Sequence, residues 1–372
     1  MDVFSMMGRR NHEEVVFCNQ PDIGLKAIIA IHDTTLGPSL GGCRFYNYAT
    51  DEEALTDVLR LSRGMTYKAS IAGLNLGGGK AVIIGDPKTD KHEFLFRAFG
   101  RYVDGLGGRY ITAEDMNTTV KDMEWVRNET RHVTGISKAL GGSGDPSPVT
   151  AFGVFVGMKA ALTTKFGSDD FNGRKVAIQG VGHVGYNLCR YLNGAGAELF
   201  VTDVNSEVLV RAENEFGATR VDGEAIYELD VDIFAPCAMG ATLNDDTIPR
   251  LKAPIVAGAA NNQLAKSRHG AELLKRDILY APDYAINAGG LINVANELEG
   301  YNRERAFKQA EGIHETLMAI FKLSKDEDIP ANDASDRLAE DRIRRMAQLK
   351  TSFATTPSRW RQGRYIGFSA WW

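Results

Sequence analysis

Two spacings of apolar residues divide the chain into separate pieces. In LKAIIAIHDTT the β-branched residues recur in alternation, the period of a strand. In DEEALTDVLRLSRGMTYKAS, Leu55, Val58, Leu59 and Met65 fall instead on a helical period, and acidic residues fill the first turn. KAVIIGDP predicts a short buried strand ended by a turn, and KHEFLFRAFGRYVDGLGG an amphipathic helix ended by glycines. Around GGSGDPSP the chain turns to Gly, Ser and Pro, which break regular structure, so this stretch is the candidate domain boundary. The helix VTAFGVFVGMKAALTTKF follows it. From Arg174, strand-like runs alternate with helical ones: KVAIQG, VGYNLCRYLNGAG, AELFVTD, SEVLVRAENEFGA, VDIFAPC, APIVAGA and DILYAPD. That order predicts parallel strands joined by crossover helices. Beyond about Tyr301 the pattern is helical through Lys350, interrupted at Ile329 and Pro330. The ending, SRWRQGRYIGFSAWW, is basic and aromatic without a period and receives no functional assignment.

Composition narrows the class. A chain of 372 residues, at roughly 100–200 residues per domain, predicts two domains. Hydrophobic content of 44% and charged content of 24% are those of an ordinary globular protein with ample core. A net charge of −5 argues against nucleic acid as the main partner, since phosphate backbones require a basic face. Cys18, Cys43, Cys189 and Cys237 are scattered, with no C-x-x-C pair, which is neither a zinc pattern nor a disulfide framework and fits a reducing cytosol. No run approaches the ~18 apolar residues of a membrane span. The N-terminus, MDVFSMMGRRNHEEVVF, lacks the apolar core of a signal peptide, so a cytoplasmic protein without membrane partners is expected.

The sharpest local signal is Gly180-Val-Gly182-His183-Val184-Gly185. It follows the strand KVAIQ, opens a helix carrying Val184, Leu188 and Leu192 on one face, and precedes Asp203 at the end of the next strand. In that context the first glycine permits a tight turn, the second lets backbone approach a pyrophosphate, and the third lets helix pack on strand. Asp203 can accept hydrogen bonds from the ribose 2′ and 3′ hydroxyls, and its charge repels a 2′-phosphate. Val204, Asn205 and Ser206 supply no cation to offset that repulsion. The loop therefore predicts a dinucleotide site that takes NAD.

A dinucleotide site names no reaction. GLNLGGGKAVIIGDP delivers Lys80 from three glycines into an apolar strand, and it is not a phosphate-binding loop. Leu74 stands where the first glycine of G-x-x-x-x-G-K-[ST] belongs, and Ala81 where the hydroxyl residue belongs. Lys68, in GMTYKAS, sits at a helix end. A lysine pressed toward a core is a candidate for proton transfer, because burial favours the neutral amine. Asp115, in RYITAEDMN, is either a reacting acid or a cap for the helix that follows. Asn261 and Asn262 follow a strand end at the cofactor crevice. His183 and His269 have no metal-ligand spacing and read as structural or surface residues, so no metal site is expected.

Taken in order, TTLGPSLGGCRF, SRGMTYKAS, GLNLGGGKAVI, ITAEDMN, DPSPVTAFG, GVGHVG, FAPCAMGA, VAGAANNQL and YAPDYAINAGGLINV resemble the glutamate/leucine/phenylalanine/valine dehydrogenase family over roughly residues 1–350. His183 stands where that family often has Asn. The resemblance implies an α/β fold of two domains. One is an N-terminal substrate and oligomerisation domain (1–146, with C-terminal helices of about 331–372 returning to it). The other is a Rossmann-type, doubly wound NAD-binding domain (147–330). It implies that Lys68 grips the substrate α-carboxylate with the Gly41–Gly42 turn, that Lys80 is the base activating water, and that Asp115 handles protons of the amino group. The glycines before Lys80 would bring backbone close to the substrate. Asn262 would stand near the nicotinamide ribose and the substrate amine, with Thr150, Cys237 and Ala238 also at the cofactor. The family also implies a homo-oligomer, an octamer.

Glutamate-specific relatives carry a lysine at the equivalent of Leu40 and a serine at the equivalent of Val294. A glutamate carboxylate buried against these two apolar residues has nothing to offset its desolvation. Ala113, Leu291 and Val294 with Leu40 are the expected pocket. One methylene is worth only ~1–3 kcal/mol in such a pocket, so activity should overlap among leucine, valine and isoleucine, yielding 2-oxo acids, ammonium and NADH. The alternatives are an enzyme of the same family acting on phenylalanine or tryptophan, and an inactive NAD-binding sensor or scaffold. Lys68, Lys80 and Asp115 together speak against the last.

Overall fold

The strand predicted from LKAIIAIHD has no exposed face: Ala27 through His32 are buried at every position. Its sheet is therefore covered on both sides, and the alternation in the sequence separates two cores rather than core from solvent. The computed structural model describes residues 2–349, and the aromatic tail SRWRQGRYIGFSAWW lies outside them.

Contacts gather the chain into two units. The first begins with α1 (Val3–Gly8), β1 (Glu14–Gln20), β2 (Leu25–Asp33), β3 (Ser39–Tyr46), α2 (Asp51–Ile71) and β4 (Gly77–Ile84). It continues with α3 (Glu93–Gly105), β5 (Tyr110–Glu114) and α4 (Val120–Arg127). The strands form one sheet in the order β1-β2-β4-β3-β5, antiparallel from β1 to β4 and parallel from β4 to β5. On one face Ile28, Ala30 and Val82 pack against Ala54, Leu55, Val58 and Leu59 of α2. On the other, Ala27, Ile29, Ile31, Phe45 and Ile83 meet Leu95, Phe96 and Phe99 of α3 and Met123 and Val126 of α4. Each large side chain so buried contributes ~1.5–3 kcal/mol. Helix α2 starts where Thr50 accepts the Glu53 N–H, with Asp51, Glu52 and Glu53 beside the positive end of the helix.

Two expectations need correction here. Strand β4 begins at Gly77, so the glycine run lies inside the strand rather than ahead of it. A Cβ on Gly78 would fall 2.1 Å from the Thr66 nitrogen of α2, and one on Gly77 2.0 Å from the Asp33 oxygen. These glycines admit neighbouring backbone of the protein itself. Gly41 and Gly42, read as a turn, are extended residues of β3, where a Cβ on Gly41 would meet the Gly79 oxygen at 1.8 Å.

The second unit holds α5 (Ser147–Phe166), β6 (Lys175–Gln179), α6 (His183–Gly194), β7 (Glu198–Thr202), α7 (Ser206–Phe216), β8 (Thr219–Arg220), β9 (Ile233–Pro236) and β10 (Ile255–Val256). There follow α8 (His269–Lys275), β11 (Leu279–Tyr280), α9 (Asp283–Ile286), α10 (Gly289–Ala295), α11 (Arg303–Glu311), α12 (Ile313–Glu327) and α13 (Ala331–Ala347). Its strands are all parallel, in the order β11-β10-β9-β6-β7-β8. The chain leaves β6 toward one edge and returns through β9 toward the other, the doubly wound order whose switch point binds ligands.

The first unit ends at Asp145, takes back Val294–Asn302 and resumes at Ala339, inside α13. The short crossing segment is tied down by Glu297, which accepts the N–H groups of Gly135 at 3.0 Å and Ser143 at 2.8 Å. Against the expected return at about residue 331, Arg303–Leu338 stays with the second unit. Among the described residues no helix is long and apolar enough to cross a membrane.

Candidate active site

Lys80 lies in β4 opposite Ala30 and two residues before Val82, so its side chain shares their sheet face, the one α2 covers. Arg44 lies in β3 opposite Val82, on that same face. Asp115 follows the last residue of β5. The three meet at one atom. Asp115 Oδ2 accepts from Lys80 Nζ at 3.0 Å and from Arg44 Nε at 3.1 Å. The Lys80 side chain is only 7% exposed. Burial pushes the Asp115 carboxyl up, but the charges of Lys80 and Arg44 outweigh it and hold the group below the ordinary carboxylate range. Asp115 caps no helix: Thr119 does that for α4, in a capping box with Asp122.

Two of the expected pocket residues fall on these strands. Leu40, 2% exposed, pairs with Gly78, and Ala113, buried, pairs with Gly42. A Cβ on Gly42 would stand 2.8 Å from the Asp115 Cβ, so this glycine sets how closely β3 approaches the carboxylate. Lys68 occupies the last turn of α2, half-buried. Leu291 is buried in α10 and Val294, partly buried, follows one turn later on that helix.

In the second unit the glycine loop joins β6 to α6 at the switch point. Gly180 has φ +99°, and a Cβ there would stand 2.6 Å from that of Ala238, which with Cys237 follows β9. A Cβ on Gly185 would meet the Gly180 oxygen at 2.0 Å, whereas one on Gly182 would meet nothing within 4 Å. Gly182 caps α6 without a side-chain bond, leaving amide donors at the positive end of a helix whose first residues are His183 and Val184. Asp203 directly follows β7: its Oδ2 accepts the Val181 N–H at 2.7 Å and its Oδ1 the Asn205 N–H at 2.9 Å. The carboxylate thus fastens the loop, a task the sequence did not reveal. Asn262, exposed and at φ +52°, follows β10, and Thr150 in α5 donates its hydroxyl to the Pro146 oxygen at 3.0 Å.

Comparison with known proteins decides the family. Residues 12–132 match the model of the Glu/Leu/Phe/Val dehydrogenase dimerisation domain, and 141–216 with 200–331 match that of glutamate/leucine/phenylalanine/valine dehydrogenase. The leucine dehydrogenase of Bacillus subtilis is 58% identical over 95% of this chain and 97% of that protein. The L-tryptophan dehydrogenase of Nostoc punctiforme is 51% identical over 94% and 99%. The chain belongs to the glutamate/leucine/phenylalanine/valine dehydrogenase family. The crystal structure of the Nostoc punctiforme L-tryptophan dehydrogenase superposes with a TM-score of 0.84, 50% identity and coverage of 93% of this chain and all of that one. The hetero-hexameric glutamate dehydrogenase of Thermus thermophilus, at 22% identity and a TM-score of 0.75, shares the fold.

Enzymes of this family are nicotinamide-dependent amino acid dehydrogenases, and the open backbone at Gly182 fits a dinucleotide pyrophosphate. Gly182→Ala is expected to leave the melting temperature unchanged, since its Cβ meets no protein atom. It should raise the dissociation constant for the dinucleotide about tenfold, or ~1.4 kcal/mol, read by fluorescence titration. Arg44 is the residue that sequence reasoning missed. Nothing in GGCRF separates it from a surface arginine; only the register with Val82 does. Sequence reasoning also saw no metal-type group, yet the fold brings ligand atoms of Asp245, His269 and Glu272 within 4.8 Å of one another. Arg268 already bridges both carboxylates, and the Lys266 N–H occupies His269 Nδ1, so an ion-pair network fills that space. All four cysteines are free thiols.

Proposed function

We propose that the chain catalyses the reversible oxidative deamination of L-leucine, and of valine and isoleucine, with NAD. The observation carrying this reading is the buried amine of Lys80 set against Asp115 Oδ2 at 3.0 Å, on a sheet face that also carries Leu40 and Ala113. An amine buried beside a carboxylate can exchange protons without bulk water. The α-carbon loses hydride and the nitrogen loses a proton, giving an imine. Water then adds, and the products are 2-oxo acid, ammonium, reduced dinucleotide and one proton. Lys80 takes the proton from the attacking water, and Asp115 carries protons to and from the nitrogen. Lys68 holds the α-carboxylate with the Gly41–Gly42 backbone.

When bound, the dinucleotide supplies the hydride acceptor. The open backbone at Gly182 would receive its pyrophosphate, with Gly180 shaping the turn and Gly185 the helix packing; Asp203 would accept from its ribose hydroxyls, and Asn262, Thr150, Cys237 and Ala238 would complete its site. NAD is favoured over NADP because Asp203 is followed by Val204 and Asn205, with no cation for a 2′-phosphate. Leu40, Ala113 and Val294, all of the first unit, are the apolar side chains this reading offers to the substrate. The greater identity to leucine dehydrogenases than to the tryptophan and phenylalanine enzymes also supports the aliphatic preference. We assign the enzyme to the cytoplasm as a homo-oligomer, an octamer.

The test is NADH formation at alkaline pH across an amino acid panel, repeated with NADP. Leucine, valine and isoleucine should lie within about tenfold of one another. Glutamate should be slower by about three orders of magnitude, since its carboxylate would be buried unpaired. Faster turnover of phenylalanine or tryptophan than of leucine would move the enzyme to the aromatic branch, and no turnover at all would leave a binding protein.

A further inference from the structure

We infer that Arg44 is a positioning residue for the Lys80–Asp115 pair, and that α2 braces it for this purpose through Asp57. The inference rests on the proposed roles of that pair. Arg44 uses two edges of its guanidinium. Nε donates to Asp115 Oδ2 at 3.1 Å, and Nη1 donates to Asp57 Oδ2 at 2.9 Å. Asp57 is itself fixed, because its Oδ2 also accepts from the Tyr48 hydroxyl at 2.8 Å and its Oδ1 from Arg60 Nη2 at 3.0 Å. The Arg44 and Asp57 side chains are 18% and 16% exposed, so this is not an ion pair between mobile surface chains.

The division of oxygens gives the arrangement its purpose. Lys80 and Arg44 both address Asp115 Oδ2, and among the described residues no donor addresses Oδ1. Oδ1 is thus the oxygen presented to a substrate nitrogen, and the carboxylate cannot rotate to exchange the two without breaking both bonds. The guanidinium stays charged at any working pH, whereas the Lys80 amine must give up its proton in the proposed cycle. Without Arg44, each departure of that proton would leave the carboxylate with no cation. Its orientation and ionisation would then follow the state of the base. With Arg44 present, Asp115 stays ionised and aimed throughout. A lysine at 44 could restore the charge but not the fork that reaches two carboxylates at once.

The experiment is steady-state kinetics on the full-length enzyme, with the amino acid that wild type turns over fastest. The variants are Arg44→Gln, Arg44→Lys and Asp57→Asn. Arg44→Gln should lower kcat by about ten- to a hundredfold, with KM for the amino acid and the dinucleotide dissociation constant within about threefold of wild type. Arg44→Lys should recover part of that loss, and Asp57→Asn should lower kcat with both cations still in place. A kcat for Arg44→Gln within twofold of wild type, or a raised KM with kcat intact, overturns the inference. Should Arg44→Gln not fold, Arg44→Lys decides, and full kcat in that variant overturns it equally. Failure of the functional reading looks different. Wild type would be inert on every amino acid, or Lys80→Ala would be fully active, and either result removes the pair that Arg44 is assigned to position.

Discussion

Lys80→Ala is expected to lose three to four orders of magnitude in amino acid turnover while keeping its melting temperature and its affinity for NAD. A positioned general base is worth about 10²–10⁴ in rate, or ~3–5.5 kcal/mol of barrier, and no other amine among the described residues contacts Asp115. The fold should survive for a specific reason. Removing one partner of a buried ion pair ordinarily costs ~3–5 kcal/mol because the other charge is left alone. Here Arg44 Nε remains on the same carboxylate oxygen, so Asp115 keeps a cation. The dinucleotide loop belongs to a different unit of the chain. Rate is read from NADH absorbance, binding from fluorescence, and stability from a thermal melt. Turnover near wild type would remove Lys80 from the mechanism. A collapse in melting temperature would show instead that Arg44 does not suffice to neutralise Asp115.

The sequence made the second unit far more legible than the first. Strands that alternate with helices admit few topologies, and Gly180–Gly185 followed by Asp203 locates the switch point without any long-range information. In the first unit Lys80 stands out because it enters an apolar strand, and Asp115 because it follows one within a motif shared with the family. Their contact does not, because it depends on β3 lying between β4 and β5 in the sheet. Arg44 and Asp57 were invisible for a related reason. Each has the neighbours of an ordinary surface residue, and only the crossing of α2 over β3 makes them partners at 2.9 Å. The glycine runs stand out in the sequence, but their place inside β3 and β4 does not. Sequence shows that side chains are absent, but not which neighbour requires it.

Gly78 shows how far that neighbour decides the outcome, for Gly78→Ala is expected to cost more stability than any substitution of a charged site residue. None of Gly77, Gly78 and Gly79 has positive φ, so alanine faces no conformational penalty and the whole cost is steric. At Gly78 a Cβ would lie 2.1 Å from the Thr66 nitrogen, 2.2 Å from Thr66 Oγ1 and 2.5 Å from the Ser62 oxygen. Two of those atoms are α2 backbone and cannot rotate away, so the helix itself must lift from the sheet. Doing so opens the layer in which Leu55, Val58 and Leu59 cover Ile28 and Val82. Overpacking of this kind against backbone should exceed ~3 kcal/mol, a fall of roughly 10 °C in melting temperature. At Gly79 the first obstacle is the Tyr110 ring at 2.6 Å, a side chain that can shift, so Gly79→Ala should be milder. Because Lys80 lies two residues on in the same strand, the lifted helix would disturb the reacting amine as well. Gly78→Ala should therefore lose activity and stability together, where Lys80→Ala loses activity alone. A Gly78→Ala enzyme that melts within a few degrees of wild type would mean that α2 yields easily. The glycines would then have to be explained by something they bind.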